Sequence, residues 1–152
     1  MSTPQDVLDQ LKAQISAFTP SAGAYAGLQL SAVFQDVTFA EFPFCEDFPA
    51  LHINWASETD NAMVPGGNQA ARELSIDLYV TQPKGDITAA QSGLADLVEA
   101  VRDAVKSDRT LGGLLNISIV NLPVSMVPSP IGTAYVGTRR INLQAAIIEL
   151  LT

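Results

Sequence analysis

The sequence predicts an α+β domain: a mainly antiparallel sheet of about five strands with two helices on one face, in the order α-β-β-β-α-β-β. Three observations carry this. Glu73 to Val80 alternates strictly, with Leu74, Ile76, Leu78 and Val80 on one side and Glu73, Ser75, Asp77 and Tyr79 on the other. Such a strand has one dry and one wet face, as antiparallel sheets do. Two stretches instead carry apolar residues at helical spacing, and they flank the first three strands in a way that places both on the dry face.

The first helix opens at Ser2 and Thr3, before Pro4, with Asp6 in its first turn. Val7, Leu8, Leu11, Ile15 and Phe18 form its stripe, and Thr19 with Pro20 end it. Ser21 to Gly27 is small and glycine-rich, hence a loop. A strand follows over Ser31 to Ala40, where Val33, Val37 and Phe39 alternate with Phe34, Asp36 and Thr38. Glu41 to Pro49 reads as a connection, and Leu51, Ile53 and Trp55 alternate with His52 and Asn54 in the second strand. Ser57 to Ala71, with Pro65, Gly66 and Gly67 inside it, reads as a long, projecting hairpin loop. After the third strand and a turn at Pro83 to Asp86, Thr88 caps a helix with Leu94, Leu97, Val98, Val101 and Val105 on its buried stripe. Asp96, Glu99, Arg102, Asp103 and Lys106 take the opposite side. Ile117 to Val127 and Tyr135 to Leu150 complete the sheet.

A chain of 152 residues fits one domain spanning residues 1–152. Hydrophobic residues make up 47% and charged residues only 16%, so there is much to bury and a thin coat of charge. A surface of that kind suits subunits that pack into assemblies. The mean hydropathy is +0.21, and Thr110 to Thr138 carries no charge. Pro123, Pro128 and Pro130 interrupt that stretch, so no membrane span is expected. Asp6 and Asp9 stand where a secretory signal would carry basic residues, which predicts a cytoplasmic origin. The net charge of −8 opposes tight binding to phosphate backbones.

Convergent chemistry is sparse. His52 is the sole histidine and Cys45 the sole cysteine, which excludes an internal disulfide and multi-histidine or cysteine-rich metal centres within one subunit. Cys45 and His52, with Asp47 or Asn54 orienting the imidazole, could form a nucleophile and base, the basis of an alternative reading as a small hydrolase or ligand-binding domain. The other reading of these two residues is a buried thiol and a strand histidine. Glu41, Glu46, Asp47, Glu58 and Asp60 match no metal loop, and the glycine pairs lack the order of a phosphate-binding loop. Neither a cofactor nor a metal is expected. Arg139 and Arg140 form the one basic doublet and, as strand neighbours, point to opposite faces.

The segment Leu94 to Val120 reads LADLVEAVRDAVKSDRTLGGLLNISIV. Its amphipathic helix runs into Asp108, Arg109, Thr110, Leu111, Gly112, Gly113 and Leu114, followed by a strand. Here the chain resembles the tail terminator (tail completion) proteins of long-tailed bacteriophages and related minor tail and neck proteins. The two glycines suit a tight helix-to-strand turn, anchored to the core by Leu111 and Leu114. The remainder of the chain is similar in element order and size.

The resemblance implies a structural virion protein without catalytic residues. It would act as a ring of identical subunits, a hexamer in this family, that caps the finished tail tube, stops its polymerisation and joins it to the neck or head. Its partners would be itself, the tail tube protein and a neck or head-completion protein, with DNA passing through the lumen unheld. Its place would be the tail–neck junction of the virion, after assembly in the host cytoplasm. On this reading the subunit or tube interface is expected at Glu58, Asp60, Met63, Arg72, Arg139 and Arg140. The lumen or wet sheet face is expected at Asp36, Glu73, Asp77, Asn142 and Gln144. An acidic lumen lets phosphates slide where a basic one would hold them.

Overall fold

The computed structural model describes residues 3–39, 49–61, 69–83, 87–113, 122–126 and 136–150. It has the mixed α+β architecture the patterns predict: a five-stranded sheet with helices on one face. Helix α1, Pro4–Ala17, begins at a capping box. The Thr3 hydroxyl accepts from the Asp6 backbone N–H at 3.2 Å, and the Asp6 carboxylate accepts from the Thr3 N–H at 2.8 Å. These two bonds satisfy donors that a helix start leaves unpaired. They also hold the exposed Asp6 carboxyl below the usual carboxylate range, the backbone donor at Thr3 contributing most.

A short helix α2, Leu30–Val33, replaces the start of the strand expected at Ser31. Leu30 and Phe34 are both buried and lie four residues apart, so one helical turn carries both into the core while Ser31 and Ala32 face solvent. Strand β1 is then Asp36–Phe39, and it runs parallel to β2, Ala50–Asn61. Strand β3, Gln69–Pro83, pairs antiparallel with β2 and with β5, Val136–Leu150. Part of the loop expected at 57–71 is therefore strand. Ser57 to Asn61 and Gln69 to Ala71 are paired strand ends, and only 62–68, with Met63, lie outside the described residues.

Helix α3, Ile87–Ser107, begins one residue before Thr88. Strand β4, Val124–Met126, is the described part of the strand expected at Ile117 to Val127. The sheet order is β1-β2-β3-β5-β4, so all neighbours except β1 and β2 are antiparallel.

One core fills the space between sheet and helices. Leu51 and Ile53 of β2, Leu74, Ile76, Leu78 and Val80 of β3, and Ile141 and Leu143 of β5 meet Val7, Leu11 and Ile15 of α1 and Leu97, Val101 and Val105 of α3. The alternating partners of these strand residues make up the opposite face. No helix among the described residues is long and apolar enough to cross a membrane.

Candidate functional site

Alternation along five paired strands sets polar residues side by side on the face away from the helices. One row crosses the whole sheet: Thr38, His52, Tyr79, Arg140 and Ser125 are successive register partners. A second row joins Asn54, Asp77 and Asn142, and a third joins Ser57, Ser75 and Gln144. Cross-strand neighbours on one face lie close enough to bond. The Asn142 amide donates to the Asp77 carboxylate at 2.9 Å and to the Ser75 hydroxyl at 3.0 Å. Gln144 donates to Ser75 at 3.1 Å and to the Asn142 side-chain oxygen at 2.9 Å.

Three of the residues expected on the wet face, Asp77, Asn142 and Gln144, thus form one ladder, with Ser75 as the member that sequence reasoning did not single out. Glu73 is exposed beyond it, opposite Thr59. Asp77 departs from the expectation of a wet residue, because it is only 8% exposed. Asp36 lies at the far edge of the same face, its carboxylate 3.9 Å from His52 Nε2.

His52 is buried, with 1% exposure, and neither ring nitrogen has a hydrogen-bond partner among the described residues. Asn54 does not orient it, and Cys45 and Asp47 lie outside the described residues. Burial pushes its pKa down, outweighing the attraction of Asp36, so the imidazole is held neutral. The unfolded chain therefore takes up the proton more readily than the folded one. Stability is full above the ordinary imidazole pKa and falls as the pH drops below about 6.5. Urea midpoints measured at about pH 8 and about pH 5, either side of that value, are expected to differ more in the native chain than in His52→Asn. Equal pH sensitivity in the two would contradict this account.

The basic doublet divides as alternation requires. Arg140 is exposed and donates from Nε to Ser125 Oγ at 3.1 Å. Arg139 lies on the helix side, donates to the Thr138 carbonyl, and borders a cleft of ≈ 260 Å³ between α3 and the β4 edge. Leu94, Val98 and Val124 give the cleft an apolar floor, and Glu99 with Arg102, paired at 3.1 Å, closes its rim. Sequence reasoning missed this cleft, because the approach of β4 to α3 is a long-range contact.

The other expected interface residues are spread more widely. Glu58 is half-buried opposite Leu74, and Asp60 stands opposite Arg72 in the β2–β3 register. They share the strand ends that flank residues 62–68, far in register from the doublet.

The turn after α3 is built around Asp108. One carboxylate oxygen accepts from the Thr110 hydroxyl at 2.7 Å and from its backbone N–H at 3.1 Å, while the other accepts from the Gly112 N–H at 2.9 Å. These bonds hold the Asp108 carboxyl below the usual range, the Thr110 hydroxyl contributing most. Leu111, Gly112 and Gly113 have φ of 50°, 69° and 85°, three successive residues in left-handed backbone. Glycine takes that conformation freely, whereas Leu111 pays about 1–2 kcal/mol. Its side chain is fully buried, which offsets that cost. At Gly112 a Cβ would also come within 3.3 Å of the Gln10 amide nitrogen. Gln14 of α1 completes the end of α3, its amide donating to the carbonyls of Ala104, Val105 and Asp108 at 2.9, 3.2 and 3.0 Å. Leu114 lies outside the described residues.

No group of three or more metal-ligating side chains converges among the described residues. Compared with known proteins, the chain matches no family model and no curated sequence.

Proposed function

We propose that this chain is a structural assembly protein of the phage tail terminator type, which forms a ring on the end of a completed tail tube and presents the joint to the neck. The observation that carries the reading is the Asp108 to Gly113 turn. The segment that resembles the family is an amphipathic helix ending in a turn fixed by Asp108, with both glycines in left-handed backbone and Leu111 as the core anchor. Left-handed glycines and a buried Leu111 are what a tight turn at that motif requires.

Two further features support it. The polar ladder on the helix-free face and the net charge of −8 suit a wall past which DNA slides. Glu58, Asp60, Met63 and Arg72, on or beside the β2–β3 strand ends, would contact the tube or a neighbour, and Arg139 and Arg140 a neighbouring subunit.

The test is assembly on tail tubes purified without their terminator. Rings at tube ends, seen by electron microscopy, with elongation halted when more tube protein is supplied, are the expected result. Tubes that keep growing with bare ends in the presence of the protein would refute the reading. Cys45→Ala is expected to cap as well as the native chain, whereas a thiol-dependent hydrolase would lose its activity.

A further inference from the structure

Among the described strands, both edges of the sheet are unpaired: β1 with the adjoining end of β2 on one side, and β4 on the other. Unpaired edges invite another strand. Four of the five large apolar side chains exposed among the described residues lie at these edges. Phe39 is 42% and Trp55 44% exposed on the first; Val124 is 41% and Met126 74% exposed on the second.

We propose that the β4 edge of one chain receives the β1 edge of a second copy, so that the sheet continues from subunit to subunit. The proposal deepens the ring reading and rests on it for closure of the ring, since a head-to-tail contact makes a ring only when its rotation closes.

Strand directions and side-chain faces fit this occupant. With β1 and β2 parallel and every other pair antiparallel, β4 runs opposite to β1. A second copy added with its helices on the same side therefore pairs antiparallel. The side-chain period then requires helix-side residues to meet helix-side residues. Phe39 opposite Val124, Thr38 opposite Ser125 and Val37 opposite Met126 satisfy this, with the phenyl ring set beside the cleft floored by Leu94 and Val98. The row of Thr38, His52, Tyr79, Arg140 and Ser125 would then run on into the Thr38 of the next chain.

Charge agrees on the face away from the helices. On the helix side Lys12, its ammonium 5.4 Å from the centre of the Phe39 ring, travels with that ring towards a cleft rim that carries the Glu99–Arg102 pair and Arg139, so charge gives that side no preference. On the opposite side Asp36, two residues before Thr38 on the same face, would lie diagonally across Ser125 from Arg140. On that face an acid on one edge meets a base on the other, whereas β1 against β1 would bring Asp36 towards Asp36 and β4 against β4 Arg140 towards Arg140.

Disulfide trapping tests it. Thr38→Cys and Ser125→Cys, each in a Cys45→Ala background, alter surface positions at which opposed Cβ atoms would be about 4.5–5.5 Å apart, near disulfide span. An equimolar mixture, oxidised with diamide at high protein concentration, is expected to give the mixed dimer several-fold beyond the proportion of random collision. Adding Phe39→Asp to the Thr38→Cys chain is expected to lower that yield several-fold. Monomer only, random proportions, or a predominance of 38–38 or 125–125 dimers would overturn the proposal. The same mixture on tail tubes separates the two readings. Mixed dimers from chains that ignore tube ends would remove the tail function and leave the edge contact, whereas capped tubes without the 38–125 link would do the reverse.

Discussion

Leu78→Ala is expected to destabilise the folded chain by about 2–5 kcal/mol, the range for deleting a fully buried leucine side chain. Leu78 is at the middle of the central strand, with Ile53 and Ile141 as register partners, and all three are at or near zero exposure. Removing its isobutyl group takes contacts from both neighbouring strands and from the helix layer at once. A cavity opens where paired strands cannot move inward to fill it. Urea unfolding followed by far-ultraviolet circular dichroism measures the loss. Val124→Ala, at a 41% exposed edge position, serves as the comparison and is expected to change stability by less than about 0.5 kcal/mol. A loss at Leu78 no larger than at Val124 would mean that helices and sheet do not share one tight core.

The next largest effect is expected on the other face. In Asn142→Val the Asp77 carboxylate, 8% exposed, loses the amide donor 2.9 Å away, and Ser75 and Gln144 each lose a partner. A buried acceptor stripped of its donor costs about 1–3 kcal/mol, and more when charged. The two valines of Asp77→Val with Asn142→Val leave no stranded charge. The double variant is therefore expected to lose less than Asn142→Val alone, a non-additivity that urea midpoints of the native chain, both singles and the double will measure. Additive losses would reduce the ladder to solvated neighbours.

The legible parts of the fold are those in which local pattern and tertiary role coincide. Alternation identified Glu73 to Val80, the middle of β3, Thr3 and Asp6 marked the start of α1, and the Leu94 to Val105 stripe located α3. Where the partner decides, the pattern was silent. Ser57 to Asn61 is polar throughout and reads as loop, yet it is strand because β3 lies alongside to accept its backbone bonds. The α2 turn spans four residues, too few for a period to show, although Leu30 and Phe34 at a spacing of four were a usable signal. Nothing local announces that β1 runs parallel to β2.

The site divides in the same way. Alternation assigned Asp77, Asn142 and Gln144 to one face and split Arg139 from Arg140. It could not reveal that Asp77 is sealed, that Ser75 joins the ladder, or that His52 is buried with no hydrogen-bond partner among the described residues, since those depend on which strands become neighbours. The glycines of the turn were legible as glycines, but the Gln14 amide that closes the end of α3 was not, because it comes from a helix about ninety residues earlier.

That reach of Gln14 has a consequence for biogenesis. The carbonyls it caps belong to residues 104–108, about ninety positions further along the chain. A nascent polypeptide therefore carries α1 out of the ribosome long before its docking surface exists, while the β2–β3 hairpin has both strands in hand much sooner. Until α3 has emerged, the Val7, Leu11 and Ile15 stripe can be covered only in part, by α2 and β2. Helix α1, made before α2 and α3, is thus among the last elements to complete its packing, and a ribosome stalled before residue 104 would display an amphipathic helix with part of its apolar stripe open to chaperones.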